Sequence, residues 1–241
     1  MADSRGEPIL ELHNVQKDYR GLRPLRIQNL RVHGGDSVAI LGLDQVAAEV
    51  FVNLVTGAIT PDEGEVRAFG QSTSAIVDAE AWLASLDRFG ILSDRAVLLD
   101  QLTVAQNLAV PFSLELDPIP DRIRADVGRL AEEVGLRHAD LHCPVSEIGP
   151  AARLRVRLAR AIALNPRVLL GEHPNASVPA DEVPAVAADL LRVITSRQLA
   201  SITLTADRTF AAAVAEKVLT LQPASGELVT AAGWRHWFRR S

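Results

Sequence analysis

The chain has 241 residues, 48% of them hydrophobic, and a formal net charge of -5 at pH 7. That length and apolar content suit one large α/β domain or a domain with a subdomain, and the acidic, mixed-charge composition gives no electrostatic footprint for nucleic acid. Cys143 is the single cysteine, which excludes an intrachain disulfide and fits a reducing compartment. No run approaches the roughly 18 apolar residues needed to cross a bilayer, and the opening MADSRGEPILELHN has no apolar signal core. The expectation is a soluble or peripheral protein whose membrane role, if it has one, comes through a partner.

In chain order, residues 9–15 and 25–32 alternate apolar and polar positions, as half-buried strands do. DSVAIL, residues 36–41, is a short β-branched run that meets Gly42, so it reads as a buried strand entering a turn. Residues 46–56 then read as a helix stopped by Gly57, and TPDEGEV, residues 60–66, as a turn leading into a strand. Residues 78–160 look mostly helical, with breaks near 90–94, 111–120 and 144–150. Within them, residues 122–134 form an amphipathic helix and residues 153–164 a basic, Ala/Leu-rich one. Strands are expected at 168–170, 201–204 and finally 217–221, with helices at 181–197 and 210–216 between them. Strand, helix, helical insert, strand, helix, strand points to a parallel sheet with helices on its faces.

The stretch ILGLDQVAAEVFVNLVTGAITPDEGEVRAFG resembles the phosphate-loop region of ATP-binding-cassette (ABC) ATPases. LTVAQNLAVP (102–111), RLRVRLARAIALNPRVLL (153–170) and TLTADRTFAAAVAEKVLTL (203–221) resemble further family segments, in the family's order and spacing. The likeness runs from about residue 8 to 230. It implies an α/β, ABC-type P-loop ATPase fold: a mostly parallel sheet core, with a helical subdomain inserted at about 76–160. It also implies ATP and Mg²⁺ as cofactors, a dimer of nucleotide-binding subunits, and an integral-membrane ABC permease as partner. The place would be the cytoplasmic face of the inner membrane.

The chemistry of that resemblance is largely missing. A phosphate loop needs glycines for its backbone N–H groups, Lys for the β/γ-phosphates and Ser/Thr for Mg²⁺. Gly42 keeps the first glycine place, whereas the last glycine, the Lys and the Ser/Thr places hold Ala47, Ala48 and Glu49; Gln45 and Val50 complete the loop. Asp44 and Glu49 put negative charge at a helix N-terminus where an anion would otherwise sit. The plainer reading is a strand–turn–helix stabilised by its own acids. In the Walker B region, Glu172 stands where the family has the Mg²⁺-linked Asp and His173 where it has the catalytic Glu. Glu172 still offers a hard oxygen ligand. His173 is a general-base candidate near neutral pH or simply a polar strand end. Pro179 replaces the Asp of the loop that follows.

The signature loop aligns with Ile148, Gly149, Pro150, Ala151 and Ala152, where Pro150 removes a backbone N–H. Asp94 takes the Q-loop place, Ala206 the switch-histidine place and Tyr19 the adenine-stacking place, the last also readable as an ordinary strand-end aromatic. HADLHC brings His138, His142 and Cys143 to a spacing open to metal, or to an exposed helix end. GWRHWFRRS sets Trp234, Trp237 and Phe238 among arginines, as a terminal helix or a membrane-surface contact does. ELDPIP, residues 115–120, loosely resembles subunits of lipid transporters of the mammalian-cell-entry type. Three functions follow: a pseudo-ATPase subunit docked on a permease, an atypical weak ATPase, and a soluble interaction module. A docking cleft is expected along residues 94–102, with Leu98 the contact to test.

Overall fold

A computed structural model describes residues 6–76 and 78–230. The aromatic, basic C-terminal stretch therefore lies outside the described residues. Three strands come first: β1 (Leu10–Lys17), β2 (Leu25–Val32) and β3 (Ser37–Leu41). Helix α1 (Gln45–Val55) follows, then β4 (Glu63–Ala68) and the two-residue β5 (Gln71–Ser72). Helix α2 (Ala79–Leu86) leads into β6 (Phe89–Ser93). Helices α3 (Val104–Ala109), α4 (Asp121–Glu133) and α5 (Pro150–Ile162) build the insert. The chain then runs through β7 (Val168–Glu172), α6 (Val183–Arg197), β8 (Ala200–Leu204), α7 (Arg208–Val214), β9 (Lys217–Gln222) and β10 (Glu227–Thr230).

Two sheets form. The antiparallel one has the order β2-β1-β4-β5, and the larger one the order β10-β9-β3-β8-β7-β6. In the larger sheet every pairing from β9 to β6 is parallel, and only β10 runs against its neighbour. Strands β3, β7 and β8 are buried at every residue, as central parallel strands with helices on both faces must be. Alternation sorts their side chains. Val168 and Leu170 face a core shared with α1 and the antiparallel sheet. Leu169 faces a second core, built by α3 to α7. Helix α1 is thus held between the two sheets, and the turn before it is placed by β3, whose neighbours are β8 and β9.

Three expectations change. The break expected near residues 90–94 is β6, the outer strand of the larger sheet, in register with β7 from Phe89↔Val168 to Ser93↔Glu172. The span 76–160 expected as helical insert therefore contains a strand of the core sheet, and its helices leave the sheet only after Ser93. Gly90 reads as a breaker in sequence, yet here it serves packing: a Cβ at Gly90 would collide with the carbonyl oxygen of Ala161 on α5. Residues 217–221 do not end the strands, because β10 pairs back on β9; the core sheet is mostly parallel as expected, and a second, antiparallel sheet accompanies it. HADLHC forms a 3-10 turn over His138–His142 rather than the end of a longer helix. Its two imidazoles meet edge-on at 6.0 Å, and no group of three or more His, Cys, Asp or Glu among the described residues is placed to hold a metal.

Replacing Gly90 with Ala forces β6 and α5 apart where Gly90 meets Ala161. We expect a loss of about 1–3 kcal/mol, the usual cost of an overpacked contact, read as a lowered urea midpoint with an unchanged slope. A midpoint equal to that of the parent chain would show that the two elements separate freely.

Candidate functional site

Gly42 ends β3 with φ +97°, and a Cβ there would stand 3.0 Å from the carbonyl oxygen of Leu221. Only glycine meets both demands easily, so the turn from β3 into α1 keeps its shape. What fills the turn is the chain itself. Asp44 is the N-cap of α1, and its carboxylate accepts the backbone N–H of Ala47 at 2.8 Å. The helix N-terminus, which favours an anion, already has one. Ala48, at the lysine place, is 0% exposed, and Ala47 and Val50 are 7% exposed. None of the three presents a polar group to the turn.

Glu172 ends β7 at 1% exposure. A buried carboxylate must be paired, and the partner is Arg95, two residues past β6. Arg95 Nη2 donates to Glu172 Oε2 at 2.6 Å, while its Nε lies 3.1 and 3.2 Å from Oε1 and Oε2. Arg95 Nη1 also donates to Glu49 Oε1 on α1 at 3.0 Å. Gln45 completes the cluster by donating its side-chain amide to Glu172 Oε1 at 2.8 Å. The bond to Glu172 is the main reason the Arg95 guanidinium titrates above the ordinary arginine range; burial opposes it, and the charges of Glu172 and Glu49 add to it. Both Glu172 oxygens are committed, and one guanidinium bridges Glu172 and Glu49.

The other expected positions divide. Tyr19 is partly buried, its ring lying so close to Gly21 that a Cβ there would meet it at 2.5 Å. Burial, and secondarily the charge of Asp44, raise its phenol above the ordinary value. Asp94 pairs with Arg157 on α5 at 2.9 Å. His173 follows Glu172 with φ +43° and donates its backbone N–H to Leu204 O at 2.8 Å; its Nε2 is buried without a hydrogen-bond partner. Ala206 is exposed and stands in a tight turn: Thr205 Oγ1 donates to Asn175 Oδ1 at 3.0 Å, Asn175 Nδ2 to Asp207 Oδ2 at 3.2 Å, and Asp207 caps α7. Gly149 is the N-cap of α5 with Pro150 in its first turn. Both are exposed, whereas Ala151 is 2% exposed. No hydrogen bond or ion pair among the described residues joins this loop to the Arg95 cluster.

Arg95 is the residue that reading the sequence misses. Its signal was present in hindsight: two acids, Glu49 and Glu172, at places that converge on one cation, and an arginine directly after the Q-loop place. No single motif contains all three.

The family model described as ABC transporter matches residues 25–176. The chain is similar to the lipoprotein-releasing system ATP-binding protein LolD of Psychrobacter arcticus, 27% identical over 218 residues that cover 89% of this chain and 96% of that protein. It is also similar to the methionine import ATP-binding protein MetN of Brucella abortus, 26% identical over 214 residues, 89% of this chain and 57% of that protein. Among solved structures, a bacterial ABC transporter cassette determined as a dimer shares the fold, with a TM-score of 0.74 at 21% identity, covering 93% of this chain and all of that one.

Removing Arg95 leaves Glu172 buried without its charge partner. We expect Arg95→Ala to lose about 3 kcal/mol, in the range for breaking a buried pair, by chemical denaturation. Glu172→Gln added to it should recover most of the loss. Equal effects of Arg95→Ala in the parent chain and in the Glu172→Gln variant would show that the pair carries no coupling.

Proposed function

From the premise that the chain belongs to the ABC transporter family as a nucleotide-binding domain, we propose that it is a catalytically silent ATP-binding-type subunit whose scaffold serves assembly with a membrane permease. The observation that carries this reading is the Arg95 bridge. In the family the two acidic or hydroxylic places represented here by Glu49 and Glu172 serve a Mg²⁺ ion. Here a guanidinium takes their charge, so a divalent cation meets committed oxygens and a fixed positive charge. The residues present do not fit Mg²⁺-bound triphosphate: Asp44 already occupies the helix N-terminus, and the lysine place is a buried methyl group. Each lost charge-assisted hydrogen bond removes roughly 1.5–3 kcal/mol, or about 10- to 150-fold in affinity.

Dimerisation does not rescue the site. The family sandwiches each ATP between the phosphate loop of one subunit and the signature loop of the other. This chain departs from both, so any composite site that includes it holds a damaged half. Docking places different demands on the chain. It depends on shape and apolar burial, and the segment after β6 retains both: Val97 is 73% and Leu99 42% exposed, while Leu98, at 7%, belongs to the helical core. The exposed pair, rather than Leu98, is the surface offered to a permease. Among the described residues no helix is long and apolar enough to cross a membrane, consistent with a peripheral place at the cytoplasmic face through that partner. The atypical-ATPase reading would require Glu172 to leave Arg95.

We expect ATP turnover at background and no Mg²⁺-dependent gain in nucleotide binding, by titration with and without Mg²⁺. Joining Arg95→Ala to Ala47→Gly, Ala48→Lys and Glu49→Ser should raise ATP affinity by at least about tenfold without restoring turnover, since Ala206 and His173 remain. Mg²⁺-dependent turnover by the parent chain that disappears in Glu172→Gln would establish the atypical ATPase instead. For docking, Val97→Asp should melt like the parent chain yet lose co-purification with the permease. Leu98→Asp should be strongly destabilised, because it buries a charge. A folded Val97→Asp protein that still co-purifies fully would remove this surface from the proposal.

A further inference from the structure

The insert of α3, α4 and α5 leaves the larger sheet and returns to it by two crossings, residues 94–103 after β6 and residues 163–167 before β7. Two bodies joined by short segments move relative to each other by default unless their interface holds them. These two share apolar cover: Leu108, Leu130 and Leu154 of the insert lie in one core with Leu169, Leu190 and Phe210. Apolar burial is non-directional. By itself it keeps the insert attached without choosing its orientation. Directed polar contacts make that choice, and they gather at the crossings.

At the first crossing, four consecutive residues are held from both sides. Asp94 pairs with Arg157 of α5 at 2.9 Å. Arg95 binds β7 and α1, through Glu172 at 2.6 Å and Glu49 at 3.0 Å. Ala96 and Val97 offer their carbonyls to α5 again: Arg157 Nε donates to the first at 3.3 Å, Arg160 Nη1 to the second at 2.7 Å. At the second crossing the clamp comes from α6. Arg197 Nη1 donates to the carbonyl of Ile162, at the end of α5, at 2.7 Å and to Asn165 Oδ1 at 3.1 Å. The same guanidinium grips Glu133, the last residue of α4, with Nη2 donating to Oε2 at 2.7 Å. Both side chains are mostly buried, so salt screens this pair less than a surface one. The planar fork of an arginine fixes angle as well as distance.

We propose that these arginines form a two-point latch that holds the helical insert in one orientation on the sheet, Arg95 closing the first crossing and Arg197 the second. This rests on the reading of the chain as a catalytically silent subunit and deepens it: a membrane partner meets a fixed strut in place of a moving arm. A hinge needs a few residues that can change φ and ψ. Between β6 and Val97 every residue has a side chain or carbonyl bound to the sheet, to α1 or to α5.

The test is a distance measurement between spin labels on the full chain, at Ala125→Cys on α4 and Ala213→Cys on α7, both exposed, with Cys143→Ser removing the native thiol. We expect one narrow distance, unchanged by ATP with Mg²⁺. Arg95→Ala should add a second distance carrying about a tenth of the molecules or more, and Arg95→Ala joined to Arg197→Ala a larger share. Glu133→Gln loosens the second crossing without removing an arginine and should act in the same direction. If the double-alanine protein does not fold, Arg95→Lys joined to Glu133→Gln decides in its place. A single narrow distance that persists in the folded double variant overturns the latch, because packing alone then fixes the insert. Two distances in the parent chain that ignore nucleotide also overturn it and leave the silent-subunit reading intact. A parent distance that shifts with ATP and Mg²⁺ overturns both.

Discussion

Glu172 ends a strand that is buried on both faces, so its negative charge has to be matched where it stands. The match is Arg95, and its position decides much else. One guanidinium reaches the end of β7 through two nitrogens and the first turns of α1 through a third. It also anchors the segment that carries the chain from β6 into the helices of the insert. Three parts of the molecule that a nucleotide would bring together are joined by a single side chain. An ion pair of this sort is weak evidence of added stability, since desolvation offsets much of its Coulomb energy. Its effect is on arrangement: geometry at the end of β7 is set by covalently supplied charge and does not wait for a ligand.

The turn after β3 and the cluster at Glu172 follow one pattern. Asp44 supplies an anion at the start of α1, and Arg95 a cation beside Glu172. The backbone needs no change to accommodate this, because the glycine-dependent turn at Gly42 is fixed by the carbonyl of Leu221 on β9, not by phosphate. The shape of the turn thus rests on backbone packing, within the residues 25–176 that the family model matches.

Much of the architecture was legible because it rests on local rules. Strands β1 and β2 alternate, β3 is a β-branched run ending in glycine, and α1 lies between a cap and Gly57. That Ala48 and Ala206 carry no polar side chain was legible too, since it needs no structure to read. What was hidden is non-local. FGILS looks like a break because its glycine is locally unfavourable, and only the approach of Ala161 from α5 gives Gly90 its reason. Strand β10 is short and follows a turn, with its pairing decided by β9. Asp94 and Arg95 are neighbours in sequence, and nothing local says that the first turns to Arg157 and the second to Glu172. Leu98 was the expected surface contact, but it joins the core of the helical insert while its neighbour Val97 stays exposed.

The order in which the strands are stitched has a consequence for how the chain is made. Strand β3 lies near the N-terminus, yet its two neighbours are β8 and β9, and β2 is tied to the final hairpin by the bond from Gln28 N to Gly226 O at 2.8 Å. During synthesis the central strand therefore emerges long before either neighbour, and both of its hydrogen-bonding edges lack their native partners. Long-range parallel pairing of this kind is slow and exposes strand edges while it waits. On the ribosome, the N-terminal half of this protein therefore waits with its central strand uncovered until β8 and β9 have left the exit tunnel.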